Sequence, residues 1–260
     1  MPKKCLPVLP FALILLGACG APTAAPEPTP TVAPTPVPTP SMVFNLDFER
    51  IPIGPFPDSF VNVRDEFPPT DYPWLVKGIW SVEDASGKLN SRVLRQSELR
   101  AQPSLSFLRF QGKLWGRTDG ELPKVYKVEI TTQPVQSPYL FPPTGDQGFP
   151  FCFIDPTHYL EVVLKPDRIE AWECRGGVPG SGEGWFSLWE KEMKTEAGQL
   201  RRLGAEIDVG QRTFSVLLEG EKVFEVLIPS LAGNSKRYFA LRAIGNEVNF
   251  DDLRLENLEK

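Results

Sequence analysis

The alternation of hydrophobic and polar residues is clearest between positions 149 and 174. Apolar residues recur there at every second position, which is the period of β-strands. Two short breaks interrupt the alternation, one at 155–158 and one at Pro166-Asp167. Pro166 presets the backbone for the first central position of a type I turn, so the second break has the chemistry of a tight turn. The stretch therefore predicts three antiparallel strands joined by hairpins.

The register of these strands follows from keeping the apolar residues on one side, because a slip by one residue would turn every side chain over. This inner row then carries Phe149, Phe151, Phe153, Leu160, Val162, Leu164, Ile169 and Ala171. Leu164 faces Ile169 across the second hairpin. Glu173, which faces Leu160, breaks the apolar row.

The other side of the three strands, called the meander face below, carries a mixed set of side chains. They are Cys152, Tyr159, Glu161, Val163, Glu170, Trp172 and Cys174. A solvent-facing sheet does not need this mixture for folding, whereas an aromatic plane flanked by hydrogen-bonding groups suits a sugar ring. The residues predicted to bind carbohydrate are Trp172, Glu161, Glu170, Tyr159 and, after a Gly-rich loop, Trp185. The alternative is that the loop covers Trp172, which would then only extend the core.

Short alternating segments separated by turn residues continue to the C-terminus. They include 43–49, 124–131, 214–218, 223–227, 238–243 and 248–256. One stretch instead has the spacing of a helix, with Trp189, Met193, Ala197 and Leu200 on one side. Many short strands with regular turn signals predict an all-β fold, a two-sheet antiparallel sandwich or jelly roll.

The N-terminal pattern is different and resembles a bacterial lipoprotein signal. Two lysines precede an apolar run that ends just before Cys19. The run is shorter than the roughly 20 residues that a membrane-spanning helix needs. The resemblance implies that residues 1–18 are a signal peptide and that Cys19 becomes the lipidated first residue. An ordinary secretory peptide is the alternative.

Residues 19–42 continue as a linker rich in Pro and Thr. This composition predicts a disordered, extended segment of polyproline II type. It leaves 43–260 as one domain, within the length range of single β-sandwiches. In bacteria with two membranes, an Asp after the lipidated Cys retains a lipoprotein at the inner membrane, whereas Gly20 stands here. The predicted location is therefore extracytoplasmic, with the protein anchored at the cell surface by its lipid.

The charge balance excludes some partners. The chain has 28 Lys and Arg, 33 Asp and Glu and a net charge of −5, and it contains no basic run. A mildly acidic chain of this kind is not suited to nucleic acid or to an anionic lipid surface. Contact with the membrane is therefore expected through the lipid anchor only, and a polysaccharide or other glycan is the expected partner.

Two of the four cysteines, Cys152 and Cys174, belong to the predicted domain. They lie on the outer strands of the predicted meander, about 9.5 Å apart across two strand spacings. A disulfide needs Cα atoms closer than about 7 Å. We therefore expect two thiols rather than a bond.

The order of several motifs resembles the concanavalin A-like lectin/glucanase superfamily, in its laminin G-like branch. The motifs are DFE at 47–49, WSVED at 80–84 with GKL at 87–89, LLEGEKVFEV at 217–226 and NFDDLRLE at 249–256. The resemblance spans nearly all of 43–260. It implies a two-sheet jelly roll with adjacent first and last strands. Members include glycan-binding modules, glycoside hydrolases and adhesive domains, so the fold does not determine the function.

The resemblance also implies a calcium ion, which the oxygen-rich rims of these jelly rolls often hold. The candidate ligands are Asp47, Glu49, Asp251 and Asp252. If the first and last strands are adjacent, these carboxylates meet at one edge, where they repel each other unless a cation or a basic side chain intervenes. Arg50 and Arg254 are the alternative neutralising groups.

Three classes of function stay open: a non-catalytic carbohydrate-binding module, a glycoside hydrolase, and a structural or adhesive surface protein without a small ligand. A retaining hydrolase needs two carboxylates about 5–5.5 Å apart, and Glu161 and Glu170 are diagonal neighbours. Glu206-Ile207-Asp208 resembles the start of the E-x-D-x-E strand of laminarinase-like glycosidases, but Gly210 stands where the second Glu is needed. The binding module is therefore the leading hypothesis.

Overall fold

The structure, a computed structural model, describes residues 42–85, 92–97, 105–114, 121–136, 146–177, 182–233, 238–244 and 246–259. These residues belong to the larger of the two units into which the chain divides, Thr39–Lys260. The predicted signal peptide, Cys19 and nearly all of the predicted linker lie outside the described residues. Within the described part of the chain, every helix is too short or too polar to cross a bilayer.

Seventeen β-strands form among the described residues. In chain order they are β1 (Met42–Leu46), β2 (Gly54–Pro55), β3 (Phe60–Asn62), β4 (Leu75–Val76), β5 (Trp80–Asp84), β6 (Arg92–Gln96), β7 (Leu105–Phe110), β8 (Val125–Gln136), β9 (Asp146–Asp155), β10 (His158–Leu164), β11 (Arg168–Arg175), β12 (Trp185–Glu192), β13 (Arg201–Asp208), β14 (Thr213–Leu218), β15 (Glu221–Leu227), β16 (Tyr238–Ile244) and β17 (Glu247–Asn257). A short helix, α1 (Val63–Glu66), and a 3-10 helix (Pro229–Gly233) complete the described elements.

The strands form two sheets. Sheet A has the order β15-β14-β13-β8-β17-β6-β5-β2, and β1 also pairs with β17. Sheet B has the order β12-β11-β10-β9-β16-β7-β3, and β4 adds a parallel pairing to β7. All other pairings are antiparallel, which confirms the predicted all-β, two-sheet jelly-roll sandwich. The first strand lies beside the last, as the family resemblance implies, with Leu46 opposite Leu253.

The core lies between the two sheets and consists of the alternate side chains that the sequence pattern places inward. Tyr126, Val128 and Ile130 of β8 are at most 1% exposed. One polar group of this core has its partner in the other sheet: the Trp80 indole N–H donates to Ser106 Oγ across the sandwich at 2.8 Å. A buried indole N–H can no longer bond to water, so this hydrogen bond offsets the free-energy cost of burying the group.

The meander formed by β9, β10 and β11 has the predicted register. Leu164 pairs with Ile169, and Glu161 pairs with Trp172. Cys152 and Cys174 are both buried and are not bonded to each other, as expected. Cys152 packs in the core between the sheets, whereas Cys174 packs on the opposite side of sheet B.

The predicted sides of Cys152 and Phe153 were wrong. Cys152 has a positive φ of 49°, and the register of β9 shifts between its pairings at Phe151 and Asp155. Such a β-bulge places two successive side chains on one side and reverses the alternation after it. Cys152 therefore joins Phe151 in the core, and Phe153 stacks on Tyr159 on the meander face, with ring centroids 5.8 Å apart.

The predicted helix at 189–200 was also wrong. Strand β12 occupies its first part and pairs with β11 from Trp185 to Glu192. Trp189 instead closes the edge of the sandwich, where its ring stacks on Phe224 of β15 at 5.4 Å. Pairing with an existing sheet edge satisfies the backbone of β12 and outweighs a helical spacing that only four residues support.

Candidate functional site

The five residues predicted to bind carbohydrate lie together on the meander face. Tyr159 and Glu161 come from β10, Glu170 and Trp172 from β11, and Trp185 from β12. The Trp185 ring meets both Trp172 and Tyr159 edge to face, at centroid distances of 6.1 and 6.4 Å. The site is thus built from neighbouring strands of one sheet, which hold the side chains more firmly than a loop would.

The orientation of Trp172 is fixed by Glu170. The indole N–H donates to Glu170 Oε2 at 2.7 Å. Glu170 also accepts from Arg168 at 2.5 Å and pairs with Lys165 at 2.8 Å. Burial alone would raise the pKa of Glu170, but hydrogen bonds from Lys165, Trp172 and Arg168 outweigh burial and hold the pKa below its usual range. Glu170 is therefore a charged anchor for Trp172.

The meander face is largely buried and is not the solvent-facing surface that the sequence pattern predicts. Tyr159, Glu161 and Glu170 are 3%, 0% and 2% exposed. Trp172 and Trp185 are only half-buried. The accessible part of the predicted site is thus the side nearest β12, where Trp172 lies beside the exposed Ser187.

One cause of this burial is the segment 63–76, called the cover segment, which contains α1 and β4. Asn62 caps α1 by accepting from the Arg64 N–H at 3.1 Å. Trp74 of the cover segment is 6% exposed and packs in one apolar cluster with Phe107, Phe153 and Tyr159. A second apolar layer therefore forms outside sheet B, at the end of the meander face that carries Tyr159.

A buried ion pair lies in the middle of the meander face. Arg242 of β16 reaches Glu161, with Nε 3.0 Å from Oε2. Gly148 makes room for the pair, because a Cβ at this position would lie 2.5 Å from Arg242 Nε and 3.1 Å from Glu161 Oε2. Burial raises the pKa of Glu161 to about 7, and the charge of Arg242 opposes the rise.

A second carboxyl group belongs to the same cluster. Burial raises the pKa of Asp146 to about 6, although Arg242 and Lys165 oppose the rise. Asp146 Oδ1 and Glu161 Oε1 are buried and have no hydrogen-bond partner within the described structure, whereas Glu161 Oε2 faces Arg242 Nε. Unsatisfied buried polar groups are costly, so this part of the face has unused capacity for hydroxyl groups or water.

The sequence analysis missed Arg242, Asp146 and Gly148. Arg242 had a local signal, since it is the single charged residue of an otherwise apolar and aromatic strand, Tyr238–Ile244. Asp146 and Gly148 had none, because their roles depend on pairing between β9 and β16, which are far apart in sequence.

The Glu206-Asp208 segment lies on β13 of sheet A, not on the meander face. Glu206 is half-buried, and its carboxylate lies 3.8 Å from Lys222 Nζ. The laminarinase-like segment and the pair Glu161 and Glu170 therefore belong to different sheets.

The predicted calcium ligands lie near the junction of β1 and β17, where three of them accept hydrogen bonds from backbone N–H groups. Asp47 Oδ1 accepts from the Glu49 N–H at 3.2 Å, and Glu49 Oε1 accepts from the Arg92 N–H at 3.1 Å. Asp251 is buried and accepts from the Asp252 N–H. No group of three or more His, Cys, Asp or Glu side chains that could hold a metal occurs in the described ranges. Calcium binding at this edge stays a prediction.

Comparison with known proteins identifies the fold. No family model matches the chain, and no curated protein matches it. The catalytic domain of an endo-1,3-β-glucanase (laminarinase) from Thermotoga petrophila superposes with a TM-score of 0.53 at 11% identity, over 85% of this chain and 99% of that chain. A xylan β-1,4-xylosidase from Bacillus halodurans reaches 0.52 at 13% identity, over 88% of this chain and 41% of that chain. The chain shares the two-sheet fold of these two proteins.

A carbohydrate-binding module, CBM66, from Bacillus subtilis has a TM-score of 0.49 at 11% identity, over 75% of this chain and 94% of that chain. At such identities the similarity concerns the fold alone. What this domain binds therefore has to be argued from its own residues.

Proposed function

We propose that the meander face binds a glycan without cleaving it, and that Trp172 is the platform for a sugar ring. The observation that carries this proposal is the half-buried indole of Trp172, which Glu170 holds in place through a 2.7 Å hydrogen bond. A fixed aromatic plane loses little conformational freedom when a sugar stacks on it. Trp185 forms a wall inclined at 63° to this plane, and the exposed Ser187 is the residue that pairs with Trp172 on β12.

The partners of the two carboxylates favour binding over catalysis. Glu170 is engaged by Lys165, Arg168 and Trp172, so it is a poor nucleophile. Glu161 is fully buried and paired with Arg242. A catalytic carboxylate must reach the scissile bond, and neither group is free to do so in this arrangement.

The glycoside hydrolase alternative has one observation in its favour. A carboxyl group with a pKa of about 7, such as Glu161, is protonated often enough near neutral pH to act as a general acid. In that case Glu161 would donate a proton to the leaving oxygen, and Glu170 would be the nucleophile. Release of reducing sugar from bound glycans, lost in Glu161→Gln, would support this alternative.

The decisive experiment is a glycan-array screen of the protein and of its Trp172→Ala variant, with reducing-sugar release measured on every glycan that binds. We expect binding without release, and at least a tenfold loss of affinity in the variant. Phe186→Ala is the matched control, because Phe186 is an exposed aromatic residue of β12 that stacks under Arg175 on the other side of the strand. Equal affinities of Trp172→Ala and wild type would remove Trp172 from the site.

The glycan-binding domain is further proposed to be displayed at the cell surface through a lipid on Cys19 and the Pro-rich linker. The support is the pattern of residues 1–42. A module that only binds, and that stands off the membrane on an extended linker, would hold the cell to a polysaccharide or hold the polysaccharide to the cell.

A further inference from the structure

A cavity of about 400 Å³ lies at one end of the sandwich, where β9, β10 and β11 meet the 3-10 helix. Its volume is within the range of small-molecule sites. The apolar part of the lining comprises Cys152, Ile154 and Leu160 from the meander and Leu231 from the 3-10 helix, and Tyr159 and Cys174 of the meander face also border the cavity. Cys152 and Leu160 belong to the core between the sheets, whereas Trp172, Glu161 and Glu170 are not part of the lining.

The polar groups of the cavity include Glu173, the acidic residue that interrupts the apolar inner row. Glu173 Oε1 accepts from the Ser230 hydroxyl at 2.5 Å, and Oε2 lies 3.1 Å from Arg175 Nη2. The Arg175 guanidinium lies 4.2 Å from the centroid of the Phe186 ring. Each carboxylate oxygen can accept a second hydrogen bond, so Glu173 keeps capacity for a donor from a ligand.

The single histidine of the chain also lines this cavity. His158 Nδ1 lies 3.0 Å from Asp155 Oδ2 and 3.1 Å from Thr157 Oγ1, which fixes the ring. Nδ1 is thereby engaged, and Nε2 is the ring nitrogen left to meet a ligand. His158 is accessible to solvent, as is Arg175, so the two mark the mouth of the cavity.

The charges of the mouth select against a charged ligand. Glu173 is paired with Arg175, and the Asp155 carboxylate is hydrogen-bonded to His158 Nδ1. An anionic head would meet the two carboxylates, and a cationic head would have to displace Arg175. A neutral group with hydroxyls can instead donate to Glu173 and accept from Arg175 without breaking either pair.

We propose that this cavity binds a neutral amphiphile, with a short apolar tail against Ile154, Leu160 and Leu231 and a hydroxylated head at Glu173, Arg175 and His158. The apolar tail matches the apolar walls of the cavity, and the hydroxylated head matches the polar side chains at its mouth. Glu173 is a carboxylate within the apolar inner row, and His158 lies at a hairpin turn; the fold requires neither side chain. Ligand binding in this cavity would give both residues a role. Tyr159 borders both sites, but Trp172, the proposed platform of the meander face, is not part of the cavity lining.

The test is calorimetric titration of the full-length protein with methyl, butyl and hexyl β-D-glucopyranoside, each below its critical micelle concentration. We expect the affinity to rise roughly fourfold for each added CH₂ group until the cavity is filled. Leu231→Phe fills the cavity and should weaken binding of the hexyl glucoside at least tenfold. Trp172→Ala should leave this binding unchanged. If Leu231→Phe does not fold, Ile154→Phe fills the cavity from the other wall.

Three results would overturn the proposal. The first is no binding of the hexyl glucoside by protein that melts as a folded domain. The second is equal affinity for the methyl and hexyl glucosides, which would mean that only the sugar is bound. The third is loss of binding in Trp172→Ala but not in the filled-cavity variants, which would move the ligand to the meander face.

Discussion

The ionisation of Glu161 is coupled to folding in the neutral pH range. Its pKa rises from 4.5 to about 7 because the carboxyl group is buried. Between these two pH values the folded chain holds a proton that the unfolded chain has released. The free energy of unfolding therefore falls as the pH rises through this window. Asp146, with a pKa raised from 3.8 to about 6, acts in the same direction at lower pH.

Glu161→Gln should remove most of this pH dependence between pH 6 and 7.5, because glutamine does not titrate and Asp146, with a pKa of about 6, completes its ionisation early in this range. In wild type, the free energy of unfolding should fall by about 1 kcal/mol over this range. Urea unfolding at pH 6, 6.5, 7 and 7.5 measures the difference between the two proteins.

Glu206→Gln is the matched control for this prediction. Glu206 is a half-buried carboxylate of sheet A, remote from the Arg242 ion pair. The control should follow wild type at every pH. Parallel curves for wild type and Glu161→Gln would show that Glu161 is already ionised at pH 6 in the folded protein, contrary to the effect of its burial.

At the scale of elements, the cover segment determines how much of the meander face is accessible. Trp74 anchors it, since its ring packs on the cluster that contains Phe107 and Tyr159 and meets Tyr72 edge to face at 5.9 Å. The part of sheet B that lies under the cover segment is apolar on its outer side. The segment buries this apolar surface and is therefore part of the stable fold.

Trp74→Ala should lower the free energy of unfolding by about 3–5 kcal/mol, as expected for a large buried side chain. Trp172→Ala should cost less than half as much, because Trp172 is half-buried and its platform role needs exposure. Chemical denaturation of both variants measures the two losses of stability. Equal losses would mean that Trp172 is a core residue.

The sequence predicted the strands of the meander and their register, because alternation is a local property and a slip would expose every apolar side chain. It did not predict the bulge at Cys152, since a positive φ usually calls for Gly or Asn and cysteine gives no such signal. Strand β12 was missed because its edge position gives it little alternation, so a chance helical spacing stood out.

The candidate site was predicted in part for the same reason. Trp172, Glu161 and Glu170 share a face because of strand periodicity alone. The burial of that face depends on Trp74, and the charge balance depends on Arg242; both are contributed by distant parts of the chain. Contacts between distant parts of the chain produce no periodic pattern in the sequence.

At the scale of the whole molecule, the proposed anchoring depends on one residue outside the described structure. Cys19→Ala should leave a protein that is unprocessed or released, because the signal pattern ends at this cysteine. Membrane fractionation and the mass of the mature chain provide the measurement. Ala18→Ser, which keeps a small residue before the cysteine, is the control and should remain in the membrane fraction. A Cys19→Ala protein that is processed and retained like wild type would contradict lipidation.

The position of β17 constrains when the domain can fold. The last strand is bordered by β8 on one side and by β6 and β1 on the other. Until β17 has emerged from the ribosome, sheet A exists only as two separate groups of strands, and β1 lacks the strand with which it pairs. Pairing across most of the chain length is also slow. The sandwich can therefore close only after all seventeen described strands have been synthesised.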